Sequence, residues 1–263
     1  MWLGTMSKYC RELLRRKDLL VYLVTSGLKA QHRNSVLGYF WWLLDPLLGV
    51  AIYYFVVVKI FRHGGGDYGL FLIIGLIVWR WVTSTVTTAC GSIIGQAGVI
   101  TQVYMPKLLF PLSATLTQLV HFAFGLVIIV LCLIFFHVLP GMTVLWLPYI
   151  ILMQLLFLTA LAAMVAYLCV FIRDIGNLIS HVLTLWFFGS PIIWSVEMMP
   201  ERIRWLIAWN PMAHFVASYR GVFMYHHSPD YLTLLGIGFL SVVLVTGTVY
   251  YYSRFEHEII KVL

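Results

Sequence analysis

Apolar residues run almost unbroken through six stretches of the chain, 37–58, 69–90, 108–139, 144–172, 177–196 and 231–252, separated by short polar or mixed segments. Each stretch reaches the roughly 20 residues that a helix needs to cross a hydrocarbon core about 30 Å thick. The pattern predicts an all-α membrane protein with six transmembrane helices. The third and fourth stretches exceed the minimum, which predicts tilt, kinking or projection beyond the bilayer. Pro111 and Pro148 stand near their starts, where a missing N–H costs little.

Three segments between or before the spans carry their own patterns. Residues 1–34 form an N-terminal amphipathic segment, with Leu13, Leu20 and Val24 recurring at helical spacing among charges. Its apolar stretches are too short to cross, so it is expected to lie along the cytosolic membrane surface, as an anchor or as a platform for a partner. The second segment, 91–107, is nearly uncharged and carries Ile93-Ile94 and Val99-Ile100. A short helix docking into another protein explains such a connection better than a solvated loop. The third, 198–229, divides at Asn210-Pro211. Pro200 and Glu201 open one short helix with an Ile203, Leu206 and Ile207 stripe, and Phe215, Tyr219, Val222 and Phe223 stripe another. Both are too short to span and are expected at the outer interface, as an inert cap or as a gate. Gly64 to Gly66 reads as an external turn.

Composition supports the membrane reading. Of 263 residues, 62% are hydrophobic and 10% charged, against about 25% charged in an ordinary soluble domain. The net charge of +7 does not point to nucleic acid, because Lys8, Arg11, Arg15, Arg16, Lys17, Lys29 and Arg33 all precede the first span. A basic juxtamembrane segment is an orientation signal and a contact for anionic lipid. With Lys107, Arg173, Arg254 and Lys261 on the same side, and Lys59, Arg62, Arg202, Arg204 and Arg220 opposite, the positive-inside rule places both termini in the cytosol. Residues 19–24 are too short an apolar run, behind mixed charge, to serve as a cleavable signal peptide. Cys10, Cys90, Cys132 and Cys169 form no CxxC pair, so neither a disulfide framework nor a metal site is expected.

Two charges fall deep within spans. Asp45 lies about 12 Å into the first helix and Arg80 about 16 Å into the second, at ~1.5 Å per residue. In a ~30 Å core these depths agree, and the two charges can pair. Alternatively, Arg80 faces a water-filled pathway and meets an anionic group of a cargo. Trp79 and Trp81 flank Arg80, and with Trp41, Trp42 and Tyr53 they are the candidates for an aromatic pathway on which sugar rings would stack. Helix packing is the more frequent role of a buried Trp, and Trp41 and Trp42 also suit an interfacial belt. A single mid-membrane acid is too few for an ion-coupled carrier, and no GxxxxGK[ST] phosphate loop is present. Coupling energy is therefore expected from another polypeptide, with no cofactor bound by this chain.

The order of these elements resembles the permease subunits of type-2 ABC exporters that move polysaccharides, namely O-antigen, capsule and teichoic acid. The resemblance rests on RNSVLGYFWWLLDPLL at 33–48, IIGLIVWRW at the second span and MPKLLFPL at 105–112. It continues in FIRDIGN at 171–177, SPIIW at 190–194, MMPERIRWLIAWNPM at 198–212 with Tyr219-Arg220, and the ending RFEHEIIKVL. It covers essentially the whole chain. It implies a type-2 ABC transmembrane domain over 35–263, a homodimer in the bacterial inner membrane, and two copies of a separate cytosolic ATPase that uses ATP and Mg. The cargo it implies is a lipid-linked polysaccharide. It also implies that Ile93, Ile94, Val99, Ile100, Gln102, Lys107, Arg173 and Asp174 belong to the ATPase coupling region. Pro200, Trp205, Trp209, Asn210, Pro211, Tyr219 and Arg220 would belong to a periplasmic gate of two short re-entrant helices.

Two other readings stay open at this level. An ABC efflux permease for a small amphipathic drug or lipid shares the architecture. A membrane-embedded glycan or lipid enzyme would need a site, and the His226-His227 pair near Asp230 lacks the acidic cluster of a metal centre.

Overall fold

A computed structural model describes residues 2–30, 37–56, 67–100, 102, 105–139, 141–172 and 174–262. Arg33, Lys59, Arg62, the glycine turn at 64–66, Arg173 and the last two residues of the first apolar run lie outside the described residues. Among the described residues the regular structure is helical throughout. The order is α1 (Trp2–Arg15), α2 (Lys17–Ala30), α3 (Trp41–Tyr54), α4 (Tyr68–Ser92), α5 (Ala97–Ile100), α6 (Leu109–Phe135), α7 (Leu147–Phe171), α8 (Ile175–Phe188), α9 (Trp205–Ala208), α10 (Pro211–Arg220) and α11 (Tyr231–Val262).

Among the described residues, four stretches are long and apolar enough to cross a membrane: Tyr68–Ser92, Leu109–Phe135, Met142–Phe171 and Tyr231–Phe255. They match the second, third, fourth and sixth expected spans. In the first expected span α3 has 14 residues and helical turns run on to residue 56, the last described there. The fifth differs: α8 has 14 residues, about 21 Å at ~1.5 Å per residue, short of a ~30 Å core. After α8 the chain leaves the helix at Gly189 and runs irregularly through 190–195, with Ser190 and Ile192 fully buried. The fifth apolar run is thus part helix and part packed irregular backbone. Hydropathy cannot separate the two, because both are apolar.

α4 is the central helix. It packs against α6 and α7 over much of its length, and also against α3, α8 and α10. Leu70, Ile74, Ile77 and Val78 meet Phe122, Leu158, Phe215 and Val216 in one cluster. Lipid tails are as apolar as leucine, so such contacts stabilise by close packing rather than by escape from water. Gly125 on α6 is one device for that: a Cβ there would stand 2.7 Å from the Ile77 Cγ2. In the α7–α11 pair, Ala163 and Ala166 are buried in one cluster with Val249 and Tyr252, and the Tyr252 hydroxyl donates to the Ala163 carbonyl at 3.0 Å.

A second cluster sits at the other end of the bundle, where Tyr9, Ile93, Ile100, Met105, Leu108, Phe110, Tyr252 and Ile259 meet. α1 reaches it beside α11, and α2 runs against α6. The Tyr9 hydroxyl accepts the Leu108 N–H at 3.3 Å, serving one of the donors left over where α6 begins. The N-terminal segment is therefore packed onto the bundle as well as amphipathic. α11 continues past the expected end of the sixth span, through a bend at Phe255 (φ −110°, ψ 15°), to Val262. Asp230 caps its start: Oδ1 accepts the Thr233 N–H and Oδ2 the Thr233 hydroxyl. Those bonds hold its carboxyl below the usual carboxylate range.

One cysteine expectation is corrected. Cys90 near the end of α4 and Cys169 near the end of α7 are joined by a disulfide, their Cα atoms 5.7 Å apart across 79 positions of sequence. That Cα separation is ordinary for a disulfide. No local spacing marks such a pair, which only the packing of α4 on α7 brings together.

Candidate functional site

The Arg80 Nη2 lies 3.2 Å from the Asp45 Oδ2, and both side chains are 47% exposed. The pair links α3 to α4 and stands between two concavities. One is a groove of about 540 Å³ whose walls are α3, α4 and α8. The other is a cleft of about 320 Å³ on the α6 side.

From Arg80 a row of small hydroxyl residues runs down α4 through Thr83, Ser84, Thr87 and Thr88, at the spacing of one helix face. α8 answers with Ser180 and Thr184 across the groove. Thr83, Thr87, Ser180 and Thr184 donate their hydroxyls to carbonyls three or four residues back along their own helices. This satisfies each O–H inside an apolar helix while leaving oxygen lone pairs toward the groove. Sequence reasoning missed this row. Its signal was available: small polar residues at helical spacing within runs that are otherwise apolar.

The tryptophans divide. Trp41 and Trp42 are half-buried and line the α6-side cleft, and Tyr53 lines the α8-side groove. Trp79 and Trp81 are 7% and 2% exposed. Trp79 is edge-on to Trp186 at 5.6 Å and tilted against Phe187. Trp81 stacks on Phe122 at 4.2 Å and 14°. Their ring faces are engaged in helix packing, so they border the two concavities without offering open platforms.

The stretch after α8 places the remaining candidates. Asn210 is a hub. Its Oδ1 accepts from Trp186 Nε1 at 2.9 Å and from the Met212 N–H at 3.0 Å, capping α10, while its Nδ2 donates to the Gly189 carbonyl and the Ser190 hydroxyl. Pro211 occupies the first helical position, where its ring fits without loss. Arg220, 5% exposed, donates to the carbonyls of Phe71, Pro191 and Ile192. Non-helical backbone at membrane depth persists only where its polar groups find partners, and Arg220 supplies them.

α10 itself is no surface helix. Met212, Phe215, Val216, Tyr219, Val222 and Phe223 are all buried, against α4, α7 and α11. The two short helices expected between the fifth and sixth spans are thus of different kinds. The first is reduced to a turn at Glu201–Ile203 and four residues of α9, with Trp205 and Trp209 exposed and Pro200 just ahead. The second is inserted into the core, because its stripe is bulky and nearly continuous.

The coupling candidates also split. Ile94 and Val99 are exposed, 41% and 47%, whereas Ile93 and Ile100 are buried in the chain's own second cluster. Successive residues of a helical turn point about 100° apart, so one of each pair can be buried while the other is exposed. Gln102 is exposed and Lys107 fully buried. Asp174 is exposed immediately ahead of α8, where its charge suits the positive end of the helix. His226 ends the turn after α10 in a left-handed conformation with φ 55°. Among the described residues no cluster of three or more His, Cys, Asp or Glu has metal-holding geometry.

The described residues thus form an apolar helical bundle with a hydroxyl-lined groove. Residues 18–224 match the ABC-2 type transporter family. The chain is 32% identical over 231 residues to an O-antigen export system permease protein RfbA of Klebsiella pneumoniae, covering 88% of this chain and 86% of that protein. A second RfbA from the same organism is 30% identical, with 94% and 95% coverage. The RfbA of Myxococcus xanthus is 31% identical, with 91% and 93% coverage. This chain is a multi-pass membrane protein that belongs to the ABC-2 type transporter family, as its permease component.

Proposed function

We propose that the chain is the channel-forming permease of an ATP-driven exporter that moves a lipid-linked polysaccharide, O-antigen-like or capsule-like, out of the cytosol across the bacterial inner membrane. The carrying observation is the exposed polar face of α4. Arg80, Thr83, Ser84, Thr87 and Thr88 lie along a helix whose span is otherwise apolar and 78% buried. Polar side chains on a spanning helix face a bundle interior or a water-filled passage rather than lipid. Within one copy this face borders an open groove, so a second copy would complete the passage as a homodimer. Hydroxyl and aromatic walls suit a polyhydroxylated cargo.

In this reading the chain crosses six times with both termini cytosolic. α3 and α8 contribute the first and fifth crossings, α8 together with the irregular stretch 189–195. Ile94 and Val99 present an apolar contact to two copies of a separate ATPase, which supplies the nucleotide and metal chemistry. α10, clamped through Arg220, closes the outer end. The three O-antigen permease relatives support a glycan over a small drug as cargo.

The test is deletion of this chain in its own host. The expected outcome is glycan accumulating inside the cell and missing from the surface, restored only when chain and co-purifying ATPase are returned together. Normal surface glycan after deletion would sink the proposal.

A further inference from the structure

The cleft on the α6 side of the Asp45–Arg80 pair differs from the α8-side groove in chemistry. Gln118, 5% exposed on α6, donates through Nε2 to the Thr88 hydroxyl at 3.2 Å, and its Oε1 lies 3.0 Å from the His121 Nδ1. Trp42 leans on His121 at 5.2 Å and on Phe124 at 4.8 Å, with Trp41 beside it on the rim. Ser84, Thr87, Asp45 and Arg80 complete the polar lining. Donors and acceptors therefore converge, from three helices, on a cavity of about 320 Å³, the small end of the ~300–1,000 Å³ range of ligand sites.

Two features select the ligand. The Asp45 carboxylate stands 3.2 Å from the Arg80 guanidinium and cancels its charge, so an anion entering the cleft would meet repulsion as well as attraction. The pair's contact uses one carboxylate oxygen and one guanidinium nitrogen, which leaves hydrogen-bonding capacity of both kinds toward the cavity. A neutral ring with alternating hydroxyls matches such a lining. Indole walls match the apolar C–H faces of the same ring.

We propose that this cleft is a saccharide-binding subsite, taking a single neutral sugar ring, distinct from the α8-side groove. It rests on the reading of the chain as a glycan permease and adds a place where the cargo is held beside the passage. Gln118 and Ser84 fix the hydroxyls, Asp45 and Arg80 accept and donate, and the Trp41 indole walls the ring.

The test uses the full chain in lipid nanodiscs and saturation-transfer NMR with the methyl glycosides of glucose, galactose, mannose and N-acetylglucosamine. Each is applied at about 50 mM, well above the millimolar Kd of a weak site. We expect transfer to at least one glycoside, reduced at least fivefold in Gln118→Leu and in Ser84→Val, unchanged in Thr246→Val of α11, which lines neither concavity, and unaffected by inorganic pyrophosphate. Thr184→Val of the α8-side groove reports whether the sugar sits there instead. Melting curves accompany each variant, and a variant that melts as the wild type yet keeps full transfer overturns the proposal. So does an absence of transfer from all four sugars, loss only in Thr184→Val, or displacement by pyrophosphate, which marks an anion site. Sugar binding that persists in a chain unable to restore surface glycan would count against the permease reading alone. An absence of transfer to a wild-type chain that restores surface glycan would count against the subsite alone.

Discussion

Arg220 holds its guanidinium carbon 3.2 Å from the centroid of the Phe71 ring while donating to the Phe71 carbonyl through Nε and Nη2 at 3.1 and 3.0 Å. The same group reaches the Pro191 and Ile192 carbonyls, so one side chain ties the start of α4, the unwound stretch after α8 and the end of α10. A planar fork can do this, and a lysine cannot. Arg220→Met orphans the two carbonyls of the unwound stretch, at about 1–3 kcal/mol each. We expect Arg220→Met to lower the melting temperature of the purified chain markedly, and Arg220→Lys to recover less than half of the loss. A wild-type melt in Arg220→Met would remove the clamp.

Asn210 works on the same region from the other side. Alanine there removes the cap of α10, worth about 1 kcal/mol, and strands the Trp186 indole N–H. Asn210→Asp keeps both acceptor roles and loses only the donations to Gly189 and Ser190. Hydrogen exchange across 189–195 is the measurement. Asn210→Ala should speed it at least tenfold, and Asn210→Asp by clearly less.

How far these features were legible in the sequence depends on their range. Runs of about 20 apolar residues report the long helices, and Asp45 and Arg80 could be matched because depth grows steadily along a helix. The break after Phe188 is announced locally by Gly189-Ser190-Pro191, which a hydropathy reading passes over; what the sequence hides is that Arg220 satisfies the carbonyls of Pro191 and Ile192. The burial of α10 was equally hidden. A stripe of Phe215, Tyr219 and Phe223 looks the same whether it faces lipid or α4 and α7. The disulfide and the glycine contacts depend on which helices touch, and the pattern along one helix carries no such information.

Glycines at helix contacts offer a graded test. A Cβ on Gly75 would stand 2.6 Å from the Arg220 Nη2 and 3.0 Å from the Ile192 backbone oxygen, whereas one on Gly125 would stand 2.7 Å from the Ile77 Cγ2 alone. One side-chain methyl can yield through a rotation of χ1, at a cost; backbone and a clamped guanidinium together cannot. Gly75→Ala is therefore expected to destabilise by about 1–3 kcal/mol and Gly125→Ala by less. Gel-filtration profiles and melting of the two variants compare them directly, and equal behaviour would show that Gly75 is not held against Arg220.

The Asp45–Arg80 pair has a sharper test, because its two members have separable roles. Either single replacement, Asp45→Asn or Arg80→Gln, leaves the other charge at mid-membrane, at a cost on the order of 2.5–3.5 kcal/mol on an insertion scale. Partial exposure of both side chains reduces that figure, since water reaches a pair that is 47% exposed on each side. The exchange Asp45→Arg with Arg80→Asp restores neutrality without restoring the original donor and acceptor positions. We expect the exchanged chain to melt within a few degrees of the wild type while each single variant melts lower. Export, followed as surface glycan, should recover only in part, because ligand-facing groups have traded places. Full recovery of both would reduce the pair to mutual neutralisation, and recovery of neither would show that the two charges do not stabilise one another.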